Sequence, residues 1–386
     1  MRIGIVVTSS PASGGTYHYS VAVLNALRDY GQCHEYVVFY DSPQFPATQY
    51  LLPSWTLHYY TKQDSSLSVK VARLFSTVGL TCLSPLARGR HQALLKYNLD
   101  LVICPSTTLS AWWCRLPFVI AIHDVWHRHN LPGTTRFSEP FRDIVWRRAA
   151  RAARIVLVDS ELGKAEVIEA YKILASKIRV LPTGPAPFIW EYDPIRWAEV
   201  RDRYKLPQYY VFYPGGFAPA KNQQRVIEAI AILNRRYKLD IHAVFAGPLG
   251  SYGEEMKHLA RAEGVGHLAH FLGLVPDQDM SLLYKGALCL TMASYIGPTN
   301  MPIWEAFAIG CPVVSSIVGA MPEQVGEAGL LFDPSDAEQL AECILQIYRD
   351  ERLALTLVER GFVRIQPLRP ESWAHALLQV LEEAAP

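Results

Sequence analysis

Runs of nearly unbroken apolar residues recur along this chain, each followed by a segment of helical length. Ile3–Val7, Leu99–Cys104, Phe118–Ile122, Tyr209–Tyr213, Ile241–Ala246 and Ala287–Met292 are the clearest. A strand without polar alternation is covered on both faces, and strands separated by helices run parallel. The pattern predicts an α/β chain whose mostly parallel sheets are buried between helices. It breaks at Thr183-Gly-Pro-Ala-Pro187 and restarts at Tyr209, so two such sheets are expected. A length of 386 residues is too long for one ordinary core and suits two domains of about 150–200 residues. The expected division is 1–182, a linker over 183–207, a second domain over 208–368, and a last helix within 369–386.

In this architecture ligands bind beyond the carboxyl ends of the strands, and the two sets of carboxyl ends are expected to face each other across a cleft. The loop in Ser294–Ser316 is the most informative. A strand ends at Met292, a loop carries Gly297, Pro298 and Asn300, and a short helix follows over 301–309 with Pro302 in its first turn. Proline costs nothing there because that N–H has no helical partner. Gly310 stops the helix. Free N–H groups and the positive end of the helix dipole suit a phosphate, and one carboxylate, Glu305, sits a turn further on. Gly215-Gly216 and Lys221 form a second phosphate-suited loop, in which Lys221 acts as a point charge. The spacing is not that of a P-loop. In the first half, Gly14-Gly15 opens a helix and lets backbone approach a ligand. His123-Asp124 ends a strand, where α/β folds place chemistry; a packed or capping histidine is the bland reading.

Composition narrows the class. No run of 18 or more apolar residues occurs, and Ile3–Val7 is too short for a signal-peptide core. The seven cysteines are scattered with no Cys-x-x-Cys pair, so reduced, packed thiols of a cytoplasmic protein without a metal site are expected. The net charge of +1 hides an asymmetry, +8 over residues 1–182 and −7 over 183–386. The basic residues Lys70, Arg73, Arg88, Arg90, His91 and Lys96 alternate with apolar ones over 66–97. Such a segment is either an ordinary surface helix or a peripheral contact with an anionic membrane on the inner face.

In their order the motifs resemble those of glycosyltransferase family 4. They are Gly14-Gly15, His123-Asp124, Gly215-Gly216 with Lys221-Asn222, Ala246-Gly247-Pro248, Gly273-Leu274-Val275, Pro302 to Val314 around Glu305, and Glu327 to Pro334. The resemblance covers nearly the whole chain and is most specific over 209–335. It implies the GT-B fold, two Rossmann-like domains with mostly parallel sheets facing a central cleft. The first would bind the acceptor and the second a nucleotide sugar, with the final helix crossing back to the first. Carried over, it implies Glu305 on the donor ribose, Lys221 on the diphosphate, and backbone at Asn300 and Met301 on the same diphosphate. Leu274 and Val275 would lie beside the base, Gly15 against the phosphates or sugar, and His123 near the transferred sugar. His123, Lys221 and Glu305 form the implied catalytic set. Gly215, Gly216 and Thr299 complete the donor set, and Gly14, Tyr17 and Asp124 form the acceptor set. No cofactor is implied beyond the nucleotide-diphosphate sugar as co-substrate, and no metal, since Lys221 and the helix dipole would carry the leaving-group charge.

Two positions depart from the family. Its usual glutamate eight residues before Glu305 is Gly297 here, and its frequent arginine five residues before Lys221 is Gly216. The expected activity is retaining transfer of a mannosyl- or glucosyl-type sugar in polysaccharide or glycolipid biosynthesis. A saccharide or lipid-linked acceptor is expected, and no nucleic acid. The alternatives are a sugar-nucleotide epimerase or hydrolase of the same fold, and a non-catalytic nucleotide-sugar-binding protein.

Overall fold

The computed structural model describes residues 1–9, 15–43, 45, 50–60, 71–72, 88–125, 128, 139–297 and 299–386. They fall into two compact units, 1–183 with 368–386, and 184–367. Gly14 and most of the basic stretch 66–97, including Lys70 and Arg73, lie outside the described residues. The part of that stretch that is described forms a 3-10 helix, Gly89–Tyr97, which buries His91, Ala93 and Leu94.

The first unit runs β1 (Arg2–Val7), α1 (Gly15–Tyr30), β2 (Glu35–Tyr40), β3 (Thr56–Tyr59), β4 (Leu101–Cys104), α2 (Ser110–Trp113), β5 (Phe118–Ala121), α3 (Glu139–Ala152), β6 (Ile155–Val158), α4 (Glu161–Tyr171) and β7 (Ile178–Val180). Among the described residues the sheet order is β3-β2-β1-β4-β5-β6-β7, with every pairing parallel. β4, β5 and β6 are buried along their whole length, as strands covered on both faces must be. Ser160 starts α4 by accepting the Gly163 N–H at 2.9 Å. The direction of strand addition reverses between β1 and β4, which makes their carboxyl ends the switch point where this architecture binds ligands.

The second unit repeats the plan. It runs α5 (Trp197–Tyr204), β8 (Tyr210–Pro214), α6 (Gln223–Tyr237), β9 (His242–Ala246), α7 (Gly250–Ala262), β10 (Ala269–Phe271), α8 (Asp277–Gly286), β11 (Cys289–Met292), α9 (Met301–Ile309), β12 (Val313–Ser316), α10 (Met321–Val325), β13 (Gly329–Phe332), α11 (Ala337–Arg349) and α12 (Glu351–Arg364). Its parallel sheet has the order β10-β9-β8-β11-β12-β13, so the switch point lies between β8 and β11. Gly310 ends α9 in the left-handed conformation, φ 74°, with its N–H on the Ala306 carbonyl.

Residues 183–207, expected as a linker, join the second unit from Gly184 onward. Ile189 and Val200 are buried. Asp279 at the first turn of α8 is fully buried and accepts from Arg196 (2.6 Å), Arg203 (2.7 Å) and Tyr204 (2.9 Å), which fastens α5 down. After the second unit the chain returns to the first in α13 (Pro370–Glu383), which packs on α1. Trp373 is buried there and donates its Nε1–H to the Pro182 carbonyl at 2.8 Å. Among the described residues no helix is long and apolar enough to cross a membrane.

Candidate functional site

In the second unit the loops at the β8/β11 switch point are sewn together by backbone and side-chain hydrogen bonds. The Tyr295 N–H reaches the Ala220 carbonyl at 2.9 Å. The Tyr213 hydroxyl donates to the Lys221 carbonyl at 2.5 Å and lies 3.2 Å from Ser294 Oγ. Asn222, buried and left-handed at φ 58°, donates to the carbonyls of Ala293 (3.0 Å) and Pro334 (2.9 Å). Lys221 is thus carried on a fixed 3-10 turn, Pro219–Lys221, against the loop that leads into α9. Its ammonium has no hydrogen-bonding or ionic partner among the described residues. Burial pulls its pKa below the ordinary lysine value.

The glycines beside it have a backbone role. Gly215 (φ 124°), Gly247 (φ 146°) and Gly273 (φ 70°) follow β8, β9 and β10. The Gly215 N–H bonds the Ala246 carbonyl and the Gly247 N–H bonds the Gly273 carbonyl, each at 2.7 Å. A Cβ at Gly247 would stand 2.3 Å from the Gly215 oxygen, so only glycine lets these loops meet. Gly216 lies against Pro248. Beyond Gly273, Leu274 is 80% exposed with Val275 half-buried beside it, leaving an apolar side chain on a loop at the site's edge.

Glu305 points into the unit from α9. It is buried, takes the Tyr284 hydroxyl on Oε2, and accepts the Ala186 backbone N–H. Burial pushes its pKa up to about 7, opposed by the two hydrogen bonds and assisted by Asp277. Tyr284 and Ala186 had no signal in the sequence, since they come from 21 residues away and from the stretch taken as a linker. At the mouth of α9, Thr299 and Met301 are half-buried. The Asn300 N–H is not open to a ligand, because it donates to Gln324 Oε1 at 2.8 Å. The expectation that Asn300 backbone meets a diphosphate therefore narrows to the Met301 N–H.

In the first unit the polar residues gather at the carboxyl ends of β1, β4, β5 and β6. Thr8 Oγ1 lies 2.9 Å from Ser106 Oγ across the β1/β4 switch point. His123, two residues beyond the end of β5, has both ring nitrogens engaged. Nδ1 is 3.0 Å from Asp159 Oδ2 and Nε2 is 3.0 Å from the Pro105 carbonyl. A carboxylate and a carbonyl both accept, so this setting favours the doubly protonated ring. Burial opposes that charge, but the charge and hydrogen bond of Asp159, the Pro105 carbonyl and Asp124 outweigh it and raise the pKa. Tyr19 meets the His123 ring edge-on at 4.6 Å and Trp373 at 5.8 Å. Asp159 and Tyr19 were missed by sequence reasoning. Tyr17 is buried with its hydroxyl 3.4 Å from that of Tyr50, Asp124 is half-buried, and Gly15 is exposed at the start of α1.

Two family models match this chain, one over each half. Residues 13–185 match the model of "Glycosyltransferase Family 4", and residues 198–364 match that of "Glycosyl transferases group 1". The chain belongs to glycosyltransferase family 4. Among curated members, it is 27% identical over 231 residues to O-antigen chain mannosyltransferase B of Escherichia coli, covering 60% of each chain. It is 27% identical over 279 residues to the D-inositol 3-phosphate glycosyltransferase of Corynebacterium efficiens, covering 69% of this chain and 65% of that one. These matches thus span about three fifths of the relatives' length. Among solved structures, sucrose-phosphate synthase from Thermosynechococcus elongatus superposes with a TM-score of 0.78 at 21% identity, over 99% of this chain and 98% of that one. Anabaena HepE in complex with UDP and glucose superposes with a TM-score of 0.76 at 19% identity, over 99% of both chains. The fold is GT-B, two Rossmann-like units with parallel sheets.

Proposed function

We propose that the second unit binds the diphosphate of a nucleotide sugar at the β8/β11 mouth, and that the protein transfers the sugar to an acceptor hydroxyl with retention at the anomeric carbon. The observation that carries this reading is Lys221, a half-buried ammonium with no anionic partner among the described residues, fixed against the loop that enters α9. A cation held in that state fits an anion that arrives with the substrate. The Met301 N–H and the dipole of α9 add to it. Leu274 offers an apolar surface to the base, and Glu305, with Tyr284 and Ala186 fixing it, accepts from the ribose hydroxyls.

In the transfer step the bond between the anomeric carbon and the diphosphate oxygen breaks, and its electrons leave with the diphosphate. The acceptor oxygen bonds that carbon on the same face, and its proton passes to the departing phosphate oxygen. Lys221 and the Met301 N–H stabilise the charge that develops on the leaving group. In the first unit His123 supplies a fixed positive charge rather than a base, because neither ring nitrogen is free to take a proton. The relative named for O-antigen chains supports an acceptor of the cell-surface glycan class, and the one named for D-inositol 3-phosphate supports a small polyol phosphate. Turnover of UDP- and GDP-sugars with such acceptors tests the reading. Lys221→Ala is expected to lower kcat/KM by about tenfold or more, the worth of a hydrogen bond to a charged group. Unchanged turnover in both Lys221→Ala and Glu305→Ala sinks the site assignment.

A second reading, a nucleotide-sugar-binding protein without turnover, is favoured by glycine at 216 and 297 and by the engaged His123 ring. Donor binding with no transfer to any acceptor supports it.

A further inference from the structure

The mouth of α9 is short of backbone donors. The Asn300 N–H goes to Gln324, the Ile303 N–H turns back to the Asn300 carbonyl at 3.0 Å, and Pro302 has none. Asn300 is the N-cap residue, yet its side chain bonds none of the helix N–H groups, which is the usual work of asparagine at that position. Its carboxamide Nδ2 is instead buried with no hydrogen-bond partner among the described residues, in a residue only 5% exposed. Buried donors are rarely left unpaired, so one that persists in a binding loop points to a partner that arrives with the ligand.

The backbone that carries the carboxamide is held in place. Gln324 takes both backbone groups of Asn300, at 2.8 Å on the N–H and 2.7 Å on the carbonyl. The Gly297 carbonyl accepts the Ala320 N–H at 3.0 Å, which pins the start of the loop. A Cβ on Gly297 would stand 2.7 Å from Asn300 Nδ2 and 3.1 Å from Met321 Cε. Nδ2 therefore occupies the room in which a side chain at 297 would begin. No residue from Ser294 to Trp304 carries a carboxyl group, so the loop presents donors and no acid.

We propose that the Asn300 carboxamide reads the sugar of the donor, with Nδ2 donating to an oxygen of the transferred hexose. The inference rests on the nucleotide-sugar reading above. Lys221 and the Met301 N–H serve the charged diphosphate, and a neutral amide set back over Gly297 matches a neutral oxygen. Gly297, Met321 and Gln324 are positioning residues that act through Asn300.

Calorimetric titration with UDP, GDP, UDP-glucose and GDP-mannose tests this in the wild type, Asn300→Ala and Gly297→Ala. Asn300→Ala is expected to weaken the sugar nucleotide that binds by about five- to tenfold, while the matching nucleoside diphosphate changes by less than about twofold. Gly297→Ala leaves Asn300 in the sequence but drives its amide aside. The φ of residue 297 lies outside the left-handed region, so alanine is accepted there and the same pattern is expected. Should Asn300→Ala fail to fold, Gly297→Ala gives the answer alone. Equal losses for the sugar nucleotide and the diphosphate, or no loss in either variant, overturn the inference and leave the nucleotide-sugar reading standing. No binding of any of the four ligands to the wild type overturns both.

Discussion

Glu305 is under opposed demands. Burial favours its neutral form and lifts its pKa from 4.5 to about 7, while the Tyr284 hydroxyl and the Ala186 N–H favour the carboxylate. A raised pKa means that the folded state binds the proton more tightly than the unfolded chain. The stability it contributes is complete below about pH 4.5 and is lost as pH rises through 7. The loss amounts to about 3 kcal/mol at 1.4 kcal/mol per unit. Glu305→Gln removes the titration, so the variant should gain on the wild type between pH 5 and pH 8, by up to about 3 kcal/mol. Urea denaturation across that range measures it, and a pH-independent difference contradicts the assignment. The sequence placed Glu305 on a helix at a strand's carboxyl end but held nothing about Tyr284. It likewise placed His123 beyond β5 without Asp159, 36 residues later and beyond the neighbouring strand. Such pairs arise from tertiary neighbourhood, to which local periodicity is blind.

At the scale of elements, the sequence was most legible where a long apolar run or a Gly/Pro boundary marks an end. The strands β8, β9 and β11, the helix α9 and its Gly310 stop could all be read there. The short helices α2 and α10 have too few residues to show a period. The residues of α5 are polar and follow prolines, so in sequence they read as linker. What holds it is Asp279, whose carboxylate is fully buried between Arg196, Arg203 and Tyr204. Desolvation opposes that charge, and the hydrogen bonds and the two guanidinium groups overcome it, so its pKa is lowered. Asp279→Ala leaves those partners unmatched and should cost about 3 kcal/mol in chemical denaturation, against under about 1 kcal/mol for an exposed pair. The glycine row after β8, β9 and β10 was visible only as separate motifs. That Gly247 must be glycine follows from backbone 32 residues earlier at Gly215, which no local pattern contains.

Over the whole molecule the two units share one plan, a parallel sheet whose order reverses beside its first strand, and each collects its polar residues at that reversal. This much was written in the alternation of apolar runs and helical segments, and the motif order carried the family. The return of α13 to the first unit rests on Trp373 and Pro182, a pair 191 residues apart, and was carried by the family resemblance and not by any local pattern. The central claim is that the β8/β11 mouth of the second unit takes a nucleoside diphosphate on Lys221. Calorimetric titration of the wild type and Lys221→Ala with UDP and GDP measures this directly. The account predicts that one of the two nucleotides binds the wild type and binds Lys221→Ala about tenfold or more weakly, with the difference shrinking as salt is raised. Equal affinity of both proteins for that nucleotide, or no binding of either nucleotide to the wild type, contradicts it.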